Sequence, residues 1–152
     1  MNRTLLIAIA AGGSAAMMLG AFGFQFLGEM PPCKLCIYQR YGHVIAILAG
    51  LVAYMRPVNP VLWIGALGAL SSSVIGAYHA GVELKWWEGP NTCTSGSIEG
   101  LTPEELLAQI TAAPIVRCDE IPWEMFGISM AGWNAIASLG LALIWVLATR
   151  QR

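Results

Sequence analysis

Three long stretches of this 152-residue chain, residues 4–28, 57–82 and 125–149, contain no Asp, Glu, Lys or Arg. No water-soluble fold of this size has room to bury three such runs. Charged residues make up only 11% of the chain and hydrophobic ones 57%, against about 25% and 45–50% in soluble domains. As helices rising about 1.5 Å per residue, each run reaches roughly 38 Å, enough to cross a hydrocarbon core of about 30 Å with some tilt. A fourth apolar run, residues 41–55, lies between Arg40 and Arg56 and becomes long enough once the turn holding Ile37, Tyr38 and Arg40 is added. The chain reads as an all-α membrane protein and a single membrane domain, 1–152. Its transmembrane helices are expected at about 5–27, 37–55, 61–80 and 128–148. Such a composition excludes disorder and, lacking a basic stripe, nucleic-acid binding.

Arg3 ahead of the first run invites comparison with a secretory signal. A signal's apolar region spans about 7–15 residues; this run is longer, and no soluble domain follows it. It is read as a retained helix. Arg3, Arg56, Arg150 and Arg152 fall on one side of the membrane with no acid among them, and all nine acidic residues fall on the other. The positive-inside rule then puts both termini in the cytoplasm and residues 28–36 and 81–127 outside. Trp86, Trp87 and Trp123 flank the larger outer loop, at the headgroup level that indole rings prefer.

Small residues recur every fourth position at Ala8, Gly12, Ala16 and Gly20, at Gly65, Ala69, Ser73, Ala77 and Gly81, and at Gly68, Ser72, Gly76 and Ala80. Residues four apart share a helix face, and small faces let membrane helices approach closely. A compact four-helix bundle packed on these stripes is expected. In the outer loop, Thr102-Pro103-Glu104-Glu105 has the form of a capping box with Pro at the first helical position. Leu106, Leu107 and Ile110 follow on one face, so a short amphipathic helix is expected at about 103–112, on the membrane or on the bundle. Residues 91–100, rich in Gly, Ser and Thr, are expected to be mobile.

The four cysteines, Cys33, Cys36, Cys93 and Cys118, all fall on the outer side. If that side is a bacterial periplasm, it is oxidising and favours disulfides. Cys33-Lys34-Leu35-Cys36 is a CxxC that follows Pro31-Pro32 and stands where a membrane helix begins. A thiolate at a helix N-terminus is stabilised by unpaired N–H groups and the helix dipole. Arg40, one turn on from Cys36, adds a fixed cation on the same face. Cys93 and Cys118 enclose a long loop, and a disulfide between them would stabilise it by about 3 kcal/mol in the chain-entropy model. Two dithiols at one membrane face can also exchange through a mixed disulfide. A four-cysteine zinc site is the competing reading, but the spacing lacks a second tight knuckle. His43, two turns below Cys36, and His79, four residues before Glu83, suit proton relay or a ligand carbonyl. Electrons taken from thiols need an acceptor. No nucleotide, haem or metal-cluster motif is present, which leaves a lipid-soluble quinone whose developing charge Arg40 would stabilise.

The run Cys33-Lys34-Leu35-Cys36-Ile37-Tyr38-Gln39-Arg40, opening the second of four membrane helices, together with a Cys pair in the second outer loop, resembles the DsbB family. Vitamin K epoxide reductases share the chemistry, but their loop cysteines precede the CxxC. The DsbB resemblance implies an inner-membrane enzyme that reoxidises a periplasmic DsbA-like thioredoxin-fold protein and passes electrons to ubiquinone or menaquinone. It implies that Cys93 forms the mixed disulfide with the partner, Cys118 is its loop mate and Cys33 receives electrons from that pair. Cys36 would meet the quinone with Arg40 in support, and His43 is a further quinone-binding candidate. No metal is expected. Gln39 stands where some members carry an acid, a difference expected to matter little, and His79 is left outside the site. Two other readings stay open: a membrane protein with two structural disulfides, and a metal-binding membrane protein.

Overall fold

The computed structural model describes residues 2–94, 102–112 and 116–151. The chain forms α1 (Arg3–Phe26), α2 (Lys34–Met55), α3 (Asn59–Glu83), α4 (Pro103–Ala112) and α5 (Met130–Arg150), with β1 (Glu124–Met125) and β2 (Ile128–Ser129) ahead of the last helix. Helices α1, α2, α3 and α5 are long and apolar enough to cross a membrane. Each starts where the backbone finds a stop. Asn2 caps α1 by accepting from the Leu5 N–H at 2.8 Å, Pro60 sits in the first turn of α3, and Ser129 caps α5 by accepting from the Gly132 N–H at 3.2 Å. Cys33 itself caps α2, its sulfur accepting from the Cys36 N–H at 3.3 Å. The CxxC is thus half cap and half first turn, beginning three residues earlier than the hydropathy suggests.

Helices α2 and α5 lie between α1 and α3, which barely meet. Trp145, fully buried, fills the centre together with Leu6, Ile7, Leu62 and a set of alanines. The two small-residue stripes of α3 make this possible. A Cβ on Gly65 would fall 2.6 Å from the Trp145 ring, and one on Gly68 would fall 2.8 Å from the Gly42 carbonyl. The stripe on α1 does the opposite. Ala8, Gly12, Ala16 and Gly20 are exposed, and nothing approaches a Cβ on Gly12 or Gly20. Here α1 packs through Leu6, Ile7, Ala10 and Ser14. A four-residue period marks every face of an Ala- and Gly-rich helix, and the face is decided by the neighbours' shape.

The outward faces carry Leu19, Leu51, Leu67 and Leu143, as lipid-solvated helices require. Helix α4 is capped as its sequence dictates: the Glu105 N–H donates to the Thr102 hydroxyl, and the Thr102 N–H donates to the Glu105 carboxylate at 2.8 Å. Its apolar residues Leu107 and Ile110 are exposed. Most of the stretch expected to be mobile, 95–100, lies outside the described residues. Among the described residues the one departure from an all-helical reading is a tiny hairpin: Glu124 pairs with Ser129 and Met125 with Ile128. Phe126 and Gly127 both take positive φ, the signature of a two-residue hairpin turn matched to strand twist.

A Gly65→Val substitution is expected to lower the midpoint of thermal unfolding in detergent by several degrees, roughly the effect of 1–3 kcal/mol of overpacking. Gly12→Val should leave it unchanged. Equal shifts would refute the packing asymmetry between α3 and α1.

Candidate active site

The two cysteine pairs meet at one end of the bundle. Cys93 and Cys118 form a disulfide, held also by the Cys118 N–H donating to the Cys93 carbonyl at 2.6 Å. This bridge packs with Cys33 and Leu35 in a buried cluster edged by Cys36, Ile75 and Val116. Cys33 and Cys36 are thiols with their sulfurs 2.9 Å apart, Cys33 donating. That hydrogen bond, then burial, pushes the Cys33 thiol far above its ordinary range. Cys33 keeps its proton and offers it to Cys36, so negative charge on the pair settles on Cys36.

Cys36 opens on a cavity of about 560 Å³ whose wall includes Arg40, His43, His79, Glu83 and Asn134, with Phe24, Met130, Trp123 and Trp133 supplying apolar surface. Arg40 is held from α1: it donates to the Gln25 side chain at 2.6 Å and to the Ala21 carbonyl at 3.3 Å, with its guanidinium 5.1 Å from the centre of the Phe22 ring. His43 is buried, and its Nε2 meets the Asn134 side-chain oxygen at 2.9 Å. Its Nδ1 has no partner among the described residues.

Of the residues singled out from sequence, Cys33, Cys36, Arg40 and His43 converge on this cavity. Cys93 and Cys118 lie beyond it, behind Cys33. Cys93, which the resemblance makes the residue that meets a partner protein, is only 1% exposed. His79, which the sequence alone leaves outside the site, stands at the junction: its Nε2 is 3.6 Å from the Cys33 sulfur and 3.1 Å from the Cys118 carbonyl. Gln39, expected to matter little, is buried and bonded to His79 Nδ1 at 3.0 Å and to Asn134 at 2.8 Å. Gln25 and Asn134 were also missed. Their one sequence signal is an amide inside a run that otherwise has no reason to hold one.

A family model described as disulfide bond formation protein DsbB matches residues 2–148. The chain belongs to the DsbB family. A Shewanella amazonensis protein described as disulfide bond formation protein B is 32% identical over 146 residues, covering 91% of this chain and 85% of its own. Disulfide bond formation protein B 2 of Pseudomonas aeruginosa is 31% identical over 140 residues, covering 88% and 82%. A namesake from Hahella chejuensis is 28% identical over 146 residues, covering 91% and 88%. DsbB proteins are membrane thiol oxidases that generate disulfides and are linked to quinone. This chain is accordingly a disulfide-generating oxidoreductase and a multi-pass inner-membrane protein.

The segment bearing Cys118 is tied down by charge. Asp119 accepts from Arg117 at 2.8 Å and from Lys85, at the end of α3, at 2.8 Å. Arg117 first, with Lys85 adding and burial opposing, holds the Asp119 carboxyl down at about 2, against an ordinary 3.8. A carboxyl whose folded pKa is lowered stabilises the fold above its unfolded pKa and loses that contribution as pH falls through the folded one. The tether should therefore weaken between about pH 4 and pH 2. Asp119→Asn is expected to speed reduction of the Cys93–Cys118 bridge by a dilute small thiol at neutral pH by roughly fivefold, the factor given by about 1 kcal/mol of easier opening. Unchanged rates in the variant would show that the ion pairs do not hold the loop.

Proposed function

We propose that this DsbB-family protein takes electrons from a periplasmic DsbA-like thioredoxin-fold partner at Cys93–Cys118 and delivers them to ubiquinone or menaquinone at Cys36. In this reading the chain is one membrane domain with both termini cytoplasmic and residues 28–36 and 81–127 outward. The arginines at one end of the bundle support that orientation. The observation that carries the proposal is the place of Cys33: it packs against the loop disulfide on one side and lines the Cys36 cavity on the other.

Each step is an exchange that conserves atoms. The partner's dithiol attacks the loop disulfide at Cys93, and the partner leaves oxidised with the loop pair reduced. The loop dithiol then reduces a Cys33–Cys36 disulfide through Cys33, restoring the loop bridge. Loop pair bonded and helix pair reduced, the arrangement described here, is the state from which electrons leave. The reduced Cys33–Cys36 pair would pass two electrons and two protons to a quinone held at Cys36, closing its disulfide and leaving a quinol.

The residues fit such a ligand. The cavity is mostly apolar, as a ring carrying an isoprenoid tail requires. Arg40 faces it with a cation that favours negative charge on a ring oxygen. The unpartnered His43 Nδ1 suits a quinol hydroxyl. Cys36, with Cys33 donating to it, is the more nucleophilic sulfur of the pair. Neither the purely structural nor the metal-binding alternative explains why a thiol pair opens on an apolar cavity.

Cys36→Ser is expected to abolish reduction of a soluble quinone while leaving the loop pair able to trap the partner. Normal quinone turnover in that variant would refute the role of Cys36. Arg40→Ala is expected to raise KM for quinone by roughly tenfold, about 1.4 kcal/mol of lost binding, with partner oxidation little changed when quinone is saturating. Equal losses toward both substrates would make Arg40 a folding residue instead.

A further inference from the structure

The redox step moves two protons as well as two electrons, and four buried side chains at the site bear on where those protons wait. Their hydrogen bonds fix the answer residue by residue. Gln39 Nε2 lies 3.2 Å from the Leu35 carbonyl, and Asn134 Nδ2 lies 3.3 Å from the Ser72 carbonyl. A carbonyl only accepts, so each amide must turn its NH₂ that way. Asn134 therefore donates to the Gln39 oxygen at 2.8 Å, and Gln39 donates to His79 Nδ1 at 3.0 Å. This pins His79 as the Nε2–H tautomer.

That N–H faces three acceptors: the Cys118 carbonyl at 3.1 Å, the Cys33 sulfur at 3.6 Å and Glu83 Oε1 at 3.7 Å. His79 is thereby a donor to the site. It has no lone pair free for a thiol proton, because the Gln39 N–H already occupies Nδ1. Glu83 does. It is 6% exposed, it lines the cavity with Cys36, and its Oε2 has no partner among the described residues.

We propose that Glu83 is the proton-holding residue of the site, storing on Oε2 the proton that Cys36 gives up and returning it to the bound quinone. This rests on the quinone reading above. In the reduced state Cys33 carries one proton as a thiol, Cys36 is the thiolate and Glu83 carries the second proton. Two electrons then leave the sulfurs as the S–S bond forms. The Cys33 proton and the Glu83 proton go to the two ring oxygens, leaving a disulfide, a carboxylate and a quinol. The next reduction of the pair by the loop dithiol returns both protons. The net charge of the site is the same before and after, which spares a buried cavity from gaining an unpaired charge.

Other ionisable groups face the same cavity. Cys36, Arg40 and His43 come from α2, and Glu29 from the α1–α2 connection. Arg117 and Glu120 come from the segment that carries Cys118, paired with each other at 3.1 Å. Ser129 faces Glu83 from the start of α5. Glu29 and Glu120 are exposed, and among the cavity's carboxylates Glu83 alone is buried.

The test is redox-difference infrared spectroscopy of the full chain in detergent, reduced with a small dithiol and without quinone. Reduction should produce the carbonyl stretch of one protonated carboxylic acid. The band should vanish in Glu83→Gln and remain, displaced, in Glu83→Asp. No such band in the unaltered protein, or a band that survives Glu83→Gln, would overturn the proposal. Turnover with a short-chain benzoquinone supplies the second readout. Glu83→Gln should lose roughly 100-fold, within the usual range for general acid–base groups, together with one limb of the pH–rate profile. Trapping of the partner should be unchanged. A loss under threefold with the same profile would also overturn it. If the unaltered protein does not reduce quinone at all, the proposed function fails, whereas the infrared band still decides Glu83.

Discussion

Lipid offers no hydrogen bonds, so a polar side chain inside this bundle must find its partner there. The rest of the site depends on that constraint. His43 on α2, Asn134 on α5, Gln39 on α2 and His79 on α3 join in a single directed chain, with Ser72 and Ser138 closing its sides. Three helices are thereby locked in rotation around one another. No member can turn without leaving a buried amide or imidazole unpaired, at about 1–3 kcal/mol per group. The same chain sets which nitrogen of each ring carries a proton. Rigidity and proton placement have one cause.

How much of this was legible in the sequence depends on what kind of force decided each part. The membrane helices were legible because solvation by lipid acts on every residue of a run, so charge-free stretches mark them directly. The capping box at Thr102 and the thiol pair at a helix start were legible because both are local. The packing face of α1 was not. Ala8, Gly12, Ala16 and Gly20 form as good a stripe as those of α3, but Trp145 lies against Gly65, and the α1 stripe packs on no helix, its Ala16 and Gly20 lining the cavity instead. Nor was the amide chain legible. Gln39 and Asn134 lie 95 residues apart, and only the crossing of α2, α3 and α5 brings them to the histidines. The hairpin at Phe126–Gly127 delays α5 by two residues, and its left-handed backbone has no strong sequence mark beyond the single glycine.

The cysteines divide by environment. Cys93, Cys118 and Cys33 share one buried cluster, while Cys36 reaches the cavity. The sulfur that contacts both environments is also the one whose thiol holds its proton most firmly. This orders the pair chemically as well as spatially. In the proposed function Cys33 is the exchange partner for the loop disulfide, and Cys36 is the outlet.

The covered loop bridge has a meaning of its own. An open, reactive disulfide wired to the quinone pool would draw electrons from any small thiol that met it. Cys93 and Cys118 are sunk against Leu35, and Asp119 ties down their segment, so in the proposed function a partner must bring enough contact area to lift that segment before it reaches the sulfur. Under the proposed function the loop would act as insulation on a conductor: it would keep the respiratory chain from being short-circuited by stray reductant and make recognition a condition of chemistry.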